Sequence, residues 1–172
     1  MYDYFTEHLV KKRKTAAVFA VMFLTVIAGA LLTAAAFLSG LLFVQLIGQL
    51  ATIAVVALWW GVYFVVTSRN IEFEYIVTNG ELDIDKIIGK RKRKRIISVS
   101  HKEIEIITPA GQYTGNADKV IDVSSNTHSD EKYVLVTSKD GNRVKIIFNP
   151  SEKMLKIFKV FCQRKVNWGE EK

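Results

Sequence analysis

The stretch Ile71-Glu72-Phe73-Glu74-Tyr75-Ile76-Val77-Thr78-Asn79-Gly80-Glu81-Leu82-Asp83-Ile84 alternates apolar with charged or polar residues on both sides of Asn79-Gly80. This period of two puts Ile71, Phe73, Tyr75 and Val77 on one face of a strand and Glu72, Glu74 and Thr78 on the other. Asn-Gly suits a two-residue type I′ turn, whose central residues both need positive φ. The stretch therefore reads as an antiparallel hairpin. Its return strand runs to Ile88, and Gly89 turns the chain into a third strand over residues 91–99.

Further along, residues 103–108 and 119–123 read as short strands around a loop. Residues 133–138 and 143–148 form a second hairpin across Lys139-Asp140-Gly141-Asn142, giving seven strands. The period then changes at Asn149-Pro150-Ser151-Glu152: Asn149 is placed to cap a helix, Pro150 to open it and Glu152 to close a capping box. Met154, Leu155, Ile157, Phe158, Phe161 and Cys162 share one face of that helix, which is expected to pack on the strands.

Upstream the chemistry is different. Residues 15–68 contain no Asp, Glu, Lys, Arg or His, although a quarter of the whole chain is charged. As a helix this block would extend roughly 80 Å, whereas a bilayer core is about 30 Å thick and takes about 20 residues. Two crossings fit, over about residues 16–38 and 42–66, with the break near Ser39-Gly40 or toward Gln45. A cleaved signal peptide is the alternative that length disfavours, its apolar region spanning only about 7 to 15 residues. Ala30 with Ala34 and Ala57 with Gly61 have the small-xxx-small spacing that lets helices approach closely, which also admits homo-oligomers through the membrane helices. Gln45 and Gln49 are assigned to interfacial water near the turn. With no ionisable residue inside it, the hairpin reads as an anchor, not a conduit.

The net charge of +7 is local. Ten of the 24 Lys and Arg lie in Lys11-Lys12-Arg13-Lys14 and Lys90-Arg91-Lys92-Arg93-Lys94-Arg95, and elsewhere acids outnumber bases. The first run abuts the first apolar helix, Arg69 follows the second, and the turn between them is uncharged. The positive-inside rule then places both termini in the cytoplasm and makes Lys11, Lys12, Arg13, Lys14 and Arg69 topology and inner-leaflet contacts. The expected division is a basic cytoplasmic segment 1–14, a hairpin 15–68 and a cytoplasmic domain 69–172, located at the cell membrane.

Two apolar helices leading into Glu74-Tyr75-Ile76-Val77-Thr78-Asn79-Gly80-Glu81-Leu82, then a Gly turn and a basic strand ending Ile96-Ile97-Ser98-Val99, resemble the bacterial PH-like membrane proteins, a largely uncharacterised group. Tyr75, Thr78, Leu82 and residues 91–97 occupy the positions of that group's tyrosine strand, T-x-x-x-L hairpin and basic strand. The chain carries Ser98-Val99-Ser100-His101-Lys102-Glu103-Ile104 where the group usually has an I-P-x-x-x-I segment. The resemblance implies an α+β membrane protein: a two-helix transmembrane hairpin plus a PH-like, seven-stranded antiparallel barrel or sandwich closed by the C-terminal amphipathic helix.

The run Lys90, Arg91, Lys92, Arg93, Lys94 and Arg95 is the candidate site, for anionic lipid or a headgroup, each cation gaining about 1 kcal/mol at an anionic surface. On a strand, alternate bases face opposite sides, so some are equally placed to pair with Glu81, Asp83 or Asp85. Nucleic acid is not an expected partner, since no aromatic residue interleaves the run. His8, His101 and His128 are scattered, Cys162 stands alone on an apolar face, and no nucleophile, metal or nucleotide motif is present, so neither an enzyme nor a cofactor is expected. The expectation is a membrane-anchored, non-catalytic interaction or scaffold module oriented at the inner leaflet, with an unidentified protein partner; the alternative is an anionic-lipid or headgroup sensor using residues 90–95.

Overall fold

A computed structural model describes residues 4–42, 46–125, 131–139, 141–162 and 165–166, apart from the helix side chains of 39–42, 46–49, 51 and 52. The elements are β1 (Phe5–Lys11), α1 (Ala16–Leu42), α2 (Leu46–Ser68), β2 (Ile71–Thr78), β3 (Glu81–Ile88), β4 (Lys92–Val99), β5 (Ile104–Pro109), β6 (Lys119–Asp122), β7 (Tyr133–Lys139), β8 (Asn142–Phe148) and α3 (Glu152–Phe161). They form two compact units, Met1–Arg13 with Ile71–Lys172, and Lys14–Asn70.

The first unit is two four-stranded sheets, ordered β1-β2-β3-β4 and β5-β7-β8-β6. Two expectations change here. The basic segment 1–14 is not separate from the domain, because Phe5–Lys11 pairs antiparallel with β2 along its whole length, from Phe5 opposite Thr78 to Lys11 opposite Glu72. The sheets therefore hold eight strands among the described residues, and the domain starts before the apolar block. The arrangement is also not wholly antiparallel: β6 runs parallel to β8, because the long loop after β5 lets the chain enter beside β8 from the far end.

The hairpin at Asn79-Gly80 has the expected form, with φ of 50° and 84°. Gly80 is required for a second reason: a Cβ there would lie 2.8 Å from Cγ of Phe161. Tyr4 clamps the same turn, accepting from the Asn79 N–H at 2.9 Å and donating to Asn79 Oδ1 at 3.2 Å. The core lies between the sheets and α3, around Tyr75, Leu82, Ile84, Leu135, Ile146, Phe148, Met154 and Phe158. Tyr75 spans it, donating its hydroxyl to Val123 O at 2.7 Å with its ring edge-on to Phe148. Lys139 Nζ joins the sheets by donating to Ser98 O at 3.1 Å.

The cap of α3 is Ser151, not Asn149: the Ser151 hydroxyl accepts from the Met154 N–H. Asn149 instead accepts from Ser125 N–H and donates to Glu131 O, fastening the two ends of the loop before β7. Pro150 consequently lies outside the helix, and an apolar face of Met154, Leu155, Ile157 and Phe158 is buried as the spacing predicts.

In the second unit, α1 runs through Ser39-Gly40 to Leu42, so the expected break there is absent. The turn toward Gln45 falls on residues 43–45, outside the described residues, as do the side chains of Gln45 and Gln49. Close helix approach uses a different small residue from those expected. Gly29 is buried with Val62 Cγ2 3.2 Å from where its Cβ would stand, while Ala30, Ala34 and Ala57 are exposed. Trp59 Nε1 donates to Thr33 Oγ1 at 3.0 Å across the pair. Phe19, Phe23, Leu31, Phe37, Ile53 and Trp60 present large apolar side chains outward. Among the described residues, Ala16–Leu38 is long and apolar enough to cross a membrane, with a mean hydropathy of 2.4, and the apolar helix Ile53–Ser68 is shorter.

Candidate functional site

The basic run begins in a turn. Gly89 and Lys90 have φ of 60° and 58°, and the Arg91 N–H donates to Ile88 O at 3.1 Å, closing a tight hairpin between β3 and β4. A lysine in the left-handed region is disfavoured by roughly 1–2 kcal/mol relative to glycine. The turn stands at one particular end of its sheet. Ile88 pairs with Ile71, and the Lys12 N–H donates to Ile71 O at 3.0 Å. Residues 12, 71 and 88 thus form one row, at the end where the chain leaves for α1 and returns from α2.

Along β4 the run divides by residue type. Arg93 Nη2 donates to Glu74 Oε1 at 2.9 Å and lies 2.8 Å from Oε2. Arg95 Nε donates to Asp85 Oδ1 at 3.1 Å, and its Nη2 lies 3.1 Å from Asp83 Oδ2. Both arginines therefore serve carboxylates of the same sheet, two of which, Glu74 and Asp85, are only 3% and 4% exposed. Glu81, the remaining acid expected as a partner, forms no ion pair among the described residues.

Burial raises the Glu74 pKa above the ordinary carboxylate value, helped by a hydrogen bond with Glu7 of β1 and opposed by the positive charge of Arg93. The neighbouring charges of Glu7 and Asp85 push in the same direction as burial. Asp85 and then Asp83 hold the Arg95 guanidinium in its charged form. Both arginines are thus engaged by an acidic patch of their own sheet, and Glu7 belongs to it because β1 belongs to the sheet.

The lysines have no such partners. Lys90, Lys92 and Lys94 are exposed and form no ion pair among the described residues, and the register sets Lys94 directly opposite Lys86 of β3. Like charges directly opposite on a sheet repel. Lys86 was not singled out from the sequence, where it looked like one polar residue in an alternating strand. That it faces Lys94 and not Arg95 depends on a register shift of one residue between Ile84 and Asp85.

The other basic cluster is spread out. Lys11 ends β1 opposite Glu72, Lys12 continues the ladder through its backbone, Arg13 and Lys14 lead toward α1 with Lys14 Nζ 5.8 Å from the Phe19 ring centroid, and Arg69 follows α2. His8 and His101 belong to separate environments, beside Tyr75 and Phe161 respectively, and His128 lies outside the described residues. Cys162 is buried, which pushes its thiol pKa up and away from reactivity. No group of three His, Cys, Asp or Glu among the described residues is placed to hold a metal.

A family model described as a bacterial PH-like domain (DUF6106) matches residues 2–168. No curated protein and no solved structure matches the chain.

Proposed function

Because the chain belongs to this family of bacterial PH-like domains, a fold that generally serves non-catalytic interaction, we propose that it is an interaction module anchored by two membrane crossings and oriented at the inner leaflet by its lysines. The observation that carries the anchor is the ladder between β1 and β2, which flank the apolar block in sequence and pair over seven residues. Two strands of one sheet must lie on the same side of a bilayer, so the number of crossings between them is even. With α1 long and apolar enough to cross, α2 brings the chain back. Cleavage after α1 as a signal peptide would remove an entire strand of the sheet. The flanking cations Lys11, Lys12, Arg13, Lys14 and Arg69 favour the cytoplasmic side.

Orientation rests on the row formed by residues 12, 71 and 88. The chain's two connections to the helices and the Gly89-Lys90 turn share one sheet end, so a tether of a few residues holds Lys90, Arg91 and Lys92 close to the headgroups. Each cation contributes about 1 kcal/mol there, attenuated by salt. Lys90 occupies a backbone position where glycine or asparagine is better tolerated, which fits a charge retained for its location. Sensing of a headgroup by all six residues is less well supported, because Arg93 and Arg95 are engaged by Glu74, Asp85 and Asp83.

The test uses the full chain, since a fragment beginning at residue 69 would lack β1. In nanodiscs of neutral or anionic lipid, amide exchange of residues 88–92 should be slower with anionic lipid, and high salt should abolish the difference. Equal exchange in both lipids would remove the orienting role. Tags at the two termini should be digested together from one face of sealed vesicles; digestion from opposite faces would overturn the two-crossing anchor.

A further inference from the structure

The edges of the two sheets are treated unequally. The β5 edge is covered by the segment after α3, where the Ile107 N–H donates to Lys165 O at 2.7 Å and Ile107 bridges Val166. β6 is only four residues long and β4 is lined with cations. The seven-residue strand β1 is terminal in its sheet, with β2 its one described strand partner. Asn79 donating to Tyr4 O and Lys12 donating to Ile71 O fix the phase of the ladder, so the alternate residues Phe5, Glu7, Leu9 and Lys11 direct their N–H and C=O groups away from β2. Phe5 is 52% and Leu9 43% exposed. Proline and bulges, usual protections of an edge, are both missing from this strand.

Beside its N-terminal half lies a groove of about 320 Å³, with Tyr4 and Phe5 on one wall and Lys153, Lys156, Ile157 and Val160 of α3 on the other. The four helix residues follow the i, i+3, i+4, i+7 spacing of a single face. Among the described residues neither lysine is in an ion pair, and no acid lines the groove. A backbone edge with no partner among the described residues, an apolar floor and two cations at the rim form a complementary set: hydrogen bonds for a main chain, a pocket for an apolar side chain and counter-charges for carboxylates.

We propose that the groove between β1 and α3 receives an extended acidic peptide of a partner protein, added to the sheet as a fifth strand beside β1. An apolar side chain of the peptide enters between Phe5 and Ile157 and Val160, and its carboxylates meet Lys153 and Lys156. Glu7, midway along the edge, disfavours an acid directly opposite it, which places the peptide's charge toward the α3 end. A second copy pairing antiparallel through β1 fits less well, since its Lys11 end would approach Lys153 and Lys156. The proposal deepens the reading of the chain as an interaction module and rests on it.

The experiment is selection of randomised display peptides on the full-length protein in neutral-lipid nanodiscs, followed by anisotropy and amide exchange with the selected peptide. Selected sequences should be enriched in Asp and Glu around an apolar residue, and binding should protect the amides of Phe5, Glu7, Leu9 and Lys11. The Lys153→Glu, Lys156→Glu double variant should bind at least about tenfold more weakly, the equivalent of one lost charged contact. Enrichment no greater than on the double variant, protection confined to other strands, or a peptide-free dimer already protected along β1 would each overturn the proposal. Its failure is separable from that of lipid orientation, which is read at residues 88–92 by comparing lipids without peptide.

Discussion

Arg93 on β4 reaches diagonally over β3 to place its Nη2 2.9 Å from Oε1 of Glu74 on β2. The arginine is largely exposed and the glutamate is almost completely buried, so their loss has unequal consequences. Removing Arg93 strands a buried carboxylate, whereas removing both leaves a polar but uncharged site.

Arg93→Ala should therefore destabilise the domain by about 1–3 kcal/mol, the cost of a buried polar group losing its partner. Glu74→Gln in the same background should recover part of that loss. Urea midpoints of the full-length protein in micelles check this as a double-mutant cycle, and equal midpoints for wild type and Arg93→Ala would deny the pair a structural role.

The raised pKa of Glu74 predicts a direction for pH dependence. A carboxyl whose folded-state pKa lies above its ordinary 4.5 binds more protons in the folded than in the unfolded state between those values, so stability falls as pH rises through that window. The loss starts near 4.5 and is complete once the folded group has titrated. Glu7→Gln removes a neighbouring charge that contributes to the shift, and should flatten this component of the urea midpoint plotted against pH. An unchanged slope would show that Glu7 does not set it.

Much of the domain is legible in its local alternation. The Asn79-Gly80 turn, the strand pattern of residues 71–99 and the apolar face of α3 each depend on residues close together in sequence, and each has the expected form. β1 is harder to read because its partner lies beyond the whole apolar block, and seven alternating residues without a nearby turn carry little signal. The split of the basic run was legible only as an alternative: alternation predicts two faces, but Glu74 as the acid meeting Arg93, and Lys86 as the neighbour of Lys94, depend on diagonal reach and a bulge. Gly29 was obscured by the surrounding alanines, several of which have equally suitable spacing.

Lys90→Asn should raise thermal stability by about 0.5–1 kcal/mol, since asparagine tolerates the left-handed turn better than lysine. The same change should reduce the difference in amide exchange at residues 88–92 between anionic and neutral nanodiscs. A more stable variant with less lipid dependence would identify the lysine as a functional compromise. A variant with an unaltered lipid response would place the orienting charge elsewhere in the run.

Gly29→Val should separate α1 from α2, because even a Cβ there lies 3.2 Å from Val62 Cγ2 and the added methyls extend farther. The bond between Trp59 and Thr33 would be lost with it, at a cost of about 0.6 kcal/mol typical of such membrane contacts. With Trp60 and Trp168 replaced by Phe, emission from Trp59 reports the change directly. An unshifted spectrum would mean that the helices accommodate the larger residue.

On the proposed two-crossing anchor, the position of β1 ahead of the apolar block gives membrane insertion a place in the order of folding. During synthesis β1 emerges before the helices and would have no strand to join until both of them and then β2 have followed, by which time helices that cross would have entered the bilayer. Had only one of them crossed, β1 and β2 would be stranded in different compartments and the sheet would lack its edge. Formation of that ladder would then serve as a checkpoint on topology: only a molecule threaded with an even number of crossings could complete the sheet.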